Sequence, residues 1–214
     1  MLDIQIIEKS FGNKTILKDI DLVIEKPGLY GVVGKNGVGK TTFFNCLLGS
    51  VGFVGEVRFK GNKLSLQDIL WCPTEPFLYD ELSGKEFLDF YCLLTKSKLV
   101  NKDDYFFEIP ENEFISTYST GMKKKLYLNA LLTKEYDLYI FDEPFNGLDI
   151  ESNLELYSFF KELAKEKIVI LSSHILESLY THCDCIYLLK DANIVKFEAA
   201  NYKEIEQCFL DKII

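Results

Sequence analysis

Apolar and polar residues alternate through 2–9 and again through 18–24, the period-two pattern of half-buried strands, and the two runs flank a turn at Gly12-Asn13. A continuous apolar run from Leu29 to Val33 reads as a buried strand that feeds a helix over about 39–48. Residues 54–59 predict another strand, and a short one near 69–72 ends at Pro73. Between Gly84 and Leu94 the apolar residues Phe87, Leu88, Phe90, Tyr91 and Leu94 lie close to helical spacing; 95–112 is polar and irregular, and Tyr118 to Leu132 is helical again. From Leu138 the pattern turns to strand, helix, strand, helix, with strands at 138–141, 168–171 and 185–190. Alternation of this kind predicts an α/β fold with a mainly parallel sheet covered by helices. No repeat, low-complexity tract or Gly/Ser/Pro-rich linker divides the chain, so 1–214 reads as one domain.

The turn after the Leu29 to Val33 strand carries the first chemistry. Gly34-Lys35-Asn36-Gly37-Val38-Gly39-Lys40-Thr41 matches G-x-x-x-x-G-K-[ST], the phosphate-binding P-loop, in the strand-to-helix setting that the motif requires. A phosphate needs several backbone N–H donors aimed at one point, and a chain free of bulky Cβ atoms at Gly34, Gly37 and Gly39 can fold that tightly. Lys40 brings a point charge to the terminal phosphates and Thr41 offers a hydroxyl to Mg²⁺, while the helix start adds its positive dipole end. Asn36 and Thr42 belong to the same nucleotide-binding set. The plain alternative is a glycine turn that happens to contain Lys-Thr.

A hundred residues on comes Leu138-Tyr139-Ile140-Phe141-Asp142-Glu143-Pro144, a buried strand with two carboxylates at its C-terminal tip, where open α/β sheets bind ligands. Asp142 suits the Mg²⁺ shell. Glu143, one residue further and therefore pointing elsewhere, suits a general base for water. The alternative is an acidic cap where a strand leaves the core.

Composition narrows the partners. With 24 basic and 33 acidic residues the formal charge is −9, and Arg58 is the single arginine, so nucleic acid is excluded as the main partner. The run Lys123-Lys124-Lys125 is too short to alter that and reads as one solvated helix face. No stretch has the ~18 consecutive apolar residues of a membrane span and the start, Met1-Leu2-Asp3-Ile4, lacks signal-peptide character, which together imply a cytoplasmic chain. Six cysteines without repeated C-x-x-C spacing read as reduced, buried thiols, with Cys183-Asp184-Cys185 packing at a strand start rather than holding a metal.

Three further motifs make the pattern specific: Tyr118-Ser119-Thr120-Gly121-Met122, Asn146-Gly147-Leu148-Asp149 and Ser172-Ser173-His174. Taken in order with the two nucleotide motifs, they resemble the nucleotide-binding subunit of an ATP-binding cassette (ABC) transporter over residues 1 to 198, with the first of the three standing at the family signature L-S-G-G-Q. The resemblance implies a P-loop NTPase core with a mainly parallel sheet, an N-terminal antiparallel β subdomain and an inserted helical subdomain over roughly 77–133. It implies that Phe11 stacks on adenine, though a lone Phe after a strand also suits a core. Ser119 and Gly121 would bind the γ-phosphate held by a second copy or a paralogous ATPase subunit, packed head to tail, and Asp149 would contact that partner. Ser119 also suits a plain helix N-cap. His174 resembles the switch histidine that holds the γ-phosphate and attacking water, while His182 reads as structural.

Function follows from the same resemblance: a Mg-dependent ATPase on the inner face of the cell membrane, powering separate transmembrane permease subunits. The signature and the 146–149 loop look most like exporters of the drug, bacteriocin or haem kind. The alternative is a soluble ABC ATPase of translation or DNA repair, which usually carries paired cassettes, coiled-coil insertions or basic surfaces. Thr120 and Met122 depart from the signature, and Thr74, in Trp71-Cys72-Pro73-Thr74-Glu75-Pro76, stands where most members carry glutamine. A threonine is too short to span from Mg²⁺ to the attacking water; Thr74 or Glu75 remains a candidate oxygen ligand. Thr74→Gln is expected to preserve or raise ATP turnover, and a collapse of hydrolysis with intact nucleotide binding in a phosphate-release assay would refute that.

Overall fold

The computed structural model describes residues 1–99, 101–198 and 201–210. At the N-terminus β1 (Leu2–Phe11) and β2 (Lys14–Ile24) form a hairpin, and β4 (Val54–Phe59) pairs antiparallel to the other edge of β1, with β5 (Asn62–Lys63) beyond it. The alternation read from the sequence becomes one buried face: Leu2, Ile4 and Ile6 of β1 lie beside Leu17, Ile20 and Ile24 of β2 and Val57 and Phe59 of β4. A register shift between Lys9 and Ser10 breaks the regular pairing, which resumes with Ser10 opposite Thr15 and Phe11 opposite Lys14.

The second sheet has six strands in the order β10 (Asn193–Glu198), β9 (Cys185–Lys190), β3 (Gly28–Val33), β8 (Ile168–Ser173), β7 (Leu138–Phe141) and β6 (Ile69–Cys72). All neighbours run parallel except β9 and β10. Every residue of β7 and β8 is buried, as continuous apolar runs in a doubly covered parallel sheet require. Helix α1 (Lys40–Leu47) contributes Phe43, Phe44, Cys46 and Leu47 to a core shared by both sheets. The opposite face of the six-stranded sheet packs against α4 (Ile150–Leu163) through Leu156 and Phe160 and against α6 (Tyr202–Leu210) through Tyr202 and Ile205. The short α5 (Leu176–Tyr180) adds Leu179 to the same cluster.

Strand β10 is absent from the sequence reading, and its turn explains why. Asp191 and Ala192 both have positive φ, 50° and 66°, the geometry of a tight two-residue hairpin that is normally advertised by Gly or Asn. With neither residue present, the pattern offered no signal to continue past Lys190.

Between the sheet strands β6 and β7 the chain forms α2 (Gly84–Thr95) and α3 (Thr120–Leu131), with an irregular connection between them. Ser83 and Glu86 build a reciprocal capping box on α2: the Ser83 hydroxyl accepts from the Glu86 N–H at 3.3 Å and the Glu86 carboxylate from the Ser83 N–H at 2.8 Å. Phe87, Leu88, Ile109, Ile115, Tyr118, Leu126 and Ala130 form a separate small core. The polar connection is nevertheless well anchored. Buried Asn129 of α3 accepts from the Phe107 N–H and donates to the Phe107 carbonyl, both at 2.8 Å, so one side chain replaces a missing strand partner. Asn129→Ala leaves both backbone groups buried and unpaired; urea unfolding is expected to show a loss of about 2 to 4 kcal/mol, and a loss below about 1 kcal/mol would contradict this account.

Candidate functional site

The loop from Gly34 to Gly39 leaves β3 at the C-terminal edge of the six-stranded sheet and enters α1. Gly37 has φ 76° and Gly39, the N-cap of α1, has φ 118° with no side-chain cap on the helix. A Cβ on Gly39 would lie 2.7 Å from Ile16 Cγ2, so both backbone angle and β2 demand glycine there. The uncapped first turn, which includes Thr41 and Thr42 and has no acidic residue, leaves backbone donors for an anion. Asn36 and Gly37 are exposed at the tip of the loop, and Lys40 is buried, its ammonium donating to the Gly34 carbonyl at 2.8 Å.

Opposite this loop the carboxylates at the end of β7 are held in one connected network. Thr41 Oγ1 donates to Asp142 Oδ2 at 2.6 Å, and Ser172 Oγ, from the neighbouring strand β8, donates to Asp142 Oδ1 at 2.6 Å. The same Ser172 oxygen accepts from the Glu143 N–H at 2.9 Å. Glu143 has φ 51°, a left-handed conformation that costs a non-glycine residue about 1–3 kcal/mol. The bonds it makes offset this: Glu143 Oε2 lies 2.8 Å from His174 Nδ1, and Oε1 lies 3.6 Å from the Lys40 ammonium. Asp142 and Glu143 are both buried, whereas the His174 side chain is 43% exposed. The backbone turn is therefore what separates two adjacent carboxylates into different tasks, Asp142 toward Thr41 and Glu143 toward His174. The reading of this pair as an acidic cap at a strand end does not account for that network.

The arrangement fits Mg²⁺. Thr41 Oγ1 and Asp142 Oδ2 are adjacent hard oxygens beside the loop, and two buried carboxylates against one lysine leave negative charge to be balanced. Thr74 is half-buried and Glu75 exposed, and among the described residues no hydrogen bond ties either side chain to Thr41 or Asp142.

Phe11 is 53% exposed rather than packed in a core, and the Lys9 ammonium sits 4.1 Å from its ring centroid, held there by the Gly52 carbonyl at 2.8 Å. Ser119 is the N-cap of α3, its hydroxyl accepting from the Met122 N–H at 3.2 Å. A Cβ on Gly121 would lie 2.6 Å from the Gly147 carbonyl oxygen, so the start of α3 abuts the loop that follows Glu143. Asp149 caps α4, accepting from the Ser152 N–H at 2.8 Å, and pairs with Lys125 at 2.9 Å. Among the described hydrogen bonds none joins Ser119, Gly121 or Asp149 to the group around Lys40 and Glu143.

One expectation needs correction. The run Lys123-Lys124-Lys125 is not a solvated face: consecutive helical residues point about 100° apart, so three in a row fan around the helix. Lys123 pairs with Asp80 at 2.7 Å and Lys125 with Asp149, but Lys124 is 2% exposed and turned inward. Ser172 was noted only as part of the Ser-Ser-His motif; its role as the link between both carboxylates depends on β8 lying beside β7. His182 stacks on Tyr157 at 4.0 Å between centroids, away from the carboxylates, and Tyr157 stacks on Phe145. Cys183 and Cys185 are buried, and the Asp184 carboxylate between them accepts from the Leu29 N–H.

A strand, glycine loop and helix facing two carboxylates at the end of a parallel strand one place further along the sheet, beyond β8, define a P-loop nucleotide-binding protein. The sequence profile described as ABC transporter matches residues 17–146. The lantibiotic transport ATP-binding protein SrtF of Streptococcus pyogenes is 30% identical over 232 residues, covering 100% of this chain and 98% of that protein. The bacitracin transport ATP-binding protein BcrA of Enterococcus faecalis is 29% identical, covering 97% and 71%. Among solved structures, an ATP-binding subunit of an ABC transporter superposes with TM-score 0.80 at 24% identity over 99% of this chain and 96% of that one. A dimeric ATP-binding cassette in a post-hydrolysis state bound to ADP and Pi does so with TM-score 0.80 at 18% identity, over 93% and 99%. The chain belongs to the ABC transporter family and is an ATP-binding, ATPase subunit of that family. No helix among the described residues is long and apolar enough to cross a membrane.

The Asp149 carboxyl is held well below its ordinary value of 3.8, first by the Ser152 N–H and then by Lys125. Because the folded value is depressed, the stabilisation is present above pH 3.8 and is lost as pH falls through the folded value. Asp149→Asn keeps the cap but not the charge, so in nucleotide-free urea melts its deficit against wild type is expected at pH 7 and to narrow as pH drops below 3.8; a deficit constant with pH would refute it.

Proposed function

We propose that two copies of this chain, or this chain and a paralogous ATPase subunit, close head to tail around two MgATP and drive export through separate permease subunits at the inner face of the cell membrane. The observation that carries this reading is the connected set Thr41, Asp142, Ser172, Glu143 and His174 beside buried Lys40. Lys40 and the N–H groups of the Gly34 to Thr42 loop bind and orient the phosphates, with Gly37, Gly39 and Asn36 shaping the turn. Thr41 and Asp142 would hold Mg²⁺, which when bound would neutralise phosphate charge. Glu143 accepts a proton from the attacking water, and His174, bonded to the Glu143 carboxylate, orients both it and the γ-phosphate. The exposed ring of Phe11 offers a platform for adenine.

Ser119 and Gly121 serve the other site. Among the described hydrogen bonds of one chain none joins them to Lys40 or Glu143, and an N-terminus of α3 presented across a dimer supplies donors to a γ-phosphate held by the partner. Asp149 contacts that partner in this reading, which the abutment of Gly121 against the 146–149 loop supports.

Export rests on the signature and loop sequences and on relatives named for lantibiotic and bacitracin transport. The permease is expected to dock near Thr74 and the 77–118 region, where Phe77, Tyr79 and Phe90 form an exposed edge-to-face chain with centroids 5.3 and 5.6 Å apart.

Replacing the base separates hydrolysis from binding. Glu143→Gln is expected to bind ATP with affinity within about threefold of wild type while phosphate release falls at least ~100-fold. Phosphate release at the wild-type rate would remove Glu143 from the chemistry.

A further inference from the structure

Lys124 is the charged residue whose burial the reading above leaves unexplained. It is 2% exposed, and its ammonium donates to the carbonyl oxygens of Pro73 at 3.2 Å and Thr74 at 3.1 Å. Among the described ion pairs none involves it. An ammonium buried with only neutral acceptors carries a desolvation penalty of several kcal/mol, and a leucine or methionine would fill the same space without it. Packing alone therefore does not account for a lysine here, whereas the two carbonyls do. They belong to the loop after β6, which is stiffened by Pro73 and Pro76; Lys124 donates to both, and the Cys72 thiol adds a weak, 3.7 Å contact to the Pro73 carbonyl alone.

The loop and the helix it meets have different duties. Cys72, the last residue of β6, accepts from the Asp142 N–H at 2.8 Å, so the loop departs from a backbone already tied to the metal-side carboxylate. Lys124 lies five positions after Ser119 on α3, the helix whose N-terminus is assigned to the partner's ATP. Thr74 presents a short side chain toward its surroundings, but its carbonyl is gripped.

We propose that Lys124 is a positioning residue that couples the two ATP sites served by one chain, by fastening the main chain at Pro73 and Thr74 to the signature helix. The link is made through the backbone of the Thr74 loop, where the Thr74 side chain is too short to make one. A shift of the loop when nucleotide engages Thr41 and Asp142 is then transmitted to α3 and to Ser119. Removing the ammonium uncouples the two without touching either phosphate site. The inference rests on the ATPase reading given above.

Full-length Lys124→Met and Lys124→Gln, compared with wild type in steady-state MgATP hydrolysis, test it. Lys124→Met is expected to melt within a few degrees of wild type and keep KM within about threefold, while kcat falls about tenfold or more and cooperativity in ATP is lost. Lys124→Gln, which keeps an amide donor, is expected to recover part of the loss, with kcat about threefold below wild type at unchanged KM. A folded Met variant with wild-type kcat and cooperativity overturns the coupling. If the Met variant does not fold, the Gln variant decides: reduced kcat at unchanged KM and melting temperature supports the link, and wild-type kcat with wild-type cooperativity overturns it. A wild-type chain that hydrolyses no MgATP overturns the ATPase reading and this inference together, whereas normal wild-type turnover with unaffected variants overturns this inference alone.

Discussion

Asp142 and Glu143 are consecutive and both buried, and Glu143 pairs with Lys40. In a buried setting two like charges so close repel by a few kcal/mol, and each also loses hydration. The structure manages this by giving every oxygen named in the network its own partner: the Thr41 and Ser172 hydroxyls donate to Asp142, while Glu143 meets His174 Nδ1 on one oxygen and the Lys40 ammonium, 3.6 Å away, on the other. The left-handed turn at Glu143 is part of the same solution, because it sends the second carboxylate away from the first. A divalent cation beside Thr41 would supply positive charge that the protein alone lacks there.

That constraint organises the fold around it. Strand β7 must lie between β6 and β8, since Cys72 of β6 receives the Asp142 N–H and Ser172 of β8 bonds both carboxylates. Strand β3 lies on the far side of β8 and delivers Lys40 and Thr41 from the same edge. The antiparallel sheet closes over α1 and supplies Ile16, whose methyl group presses where a side chain at Gly39 would be. The helical insertion packs on this centre through Phe107, Leu128 and Leu131, and Lys124 adds a buried, charged contact with Pro73 and Thr74.

Much of the site was legible because it is local. The P-loop is eight consecutive residues, the acidic pair directly follows an apolar run, and Ser119 occupies an N-cap position that adjoining residues announce. Strands with period-two or continuous burial were also plain. Strand β10 was missed because its turn uses Asp191 and Ala192 where the usual glycine would have marked it. Phe11 was ambiguous because a ring after a strand fits core and surface equally; a register shift two residues earlier is invisible to periodicity.

By itself the sequence determined the phosphate loop, the carboxylate pair, the α/β alternation and the family, because each is written in neighbouring residues and in regular spacing. Only the tertiary structure decided which way the three lysines of α3 point, that Ser172 joins Asp142 to Glu143, and that Lys9 stands against Phe11. Those pairings span residues 30 and 50 apart as well as two, and a hydrogen bond or a buried charge takes its meaning from what the fold brings opposite it.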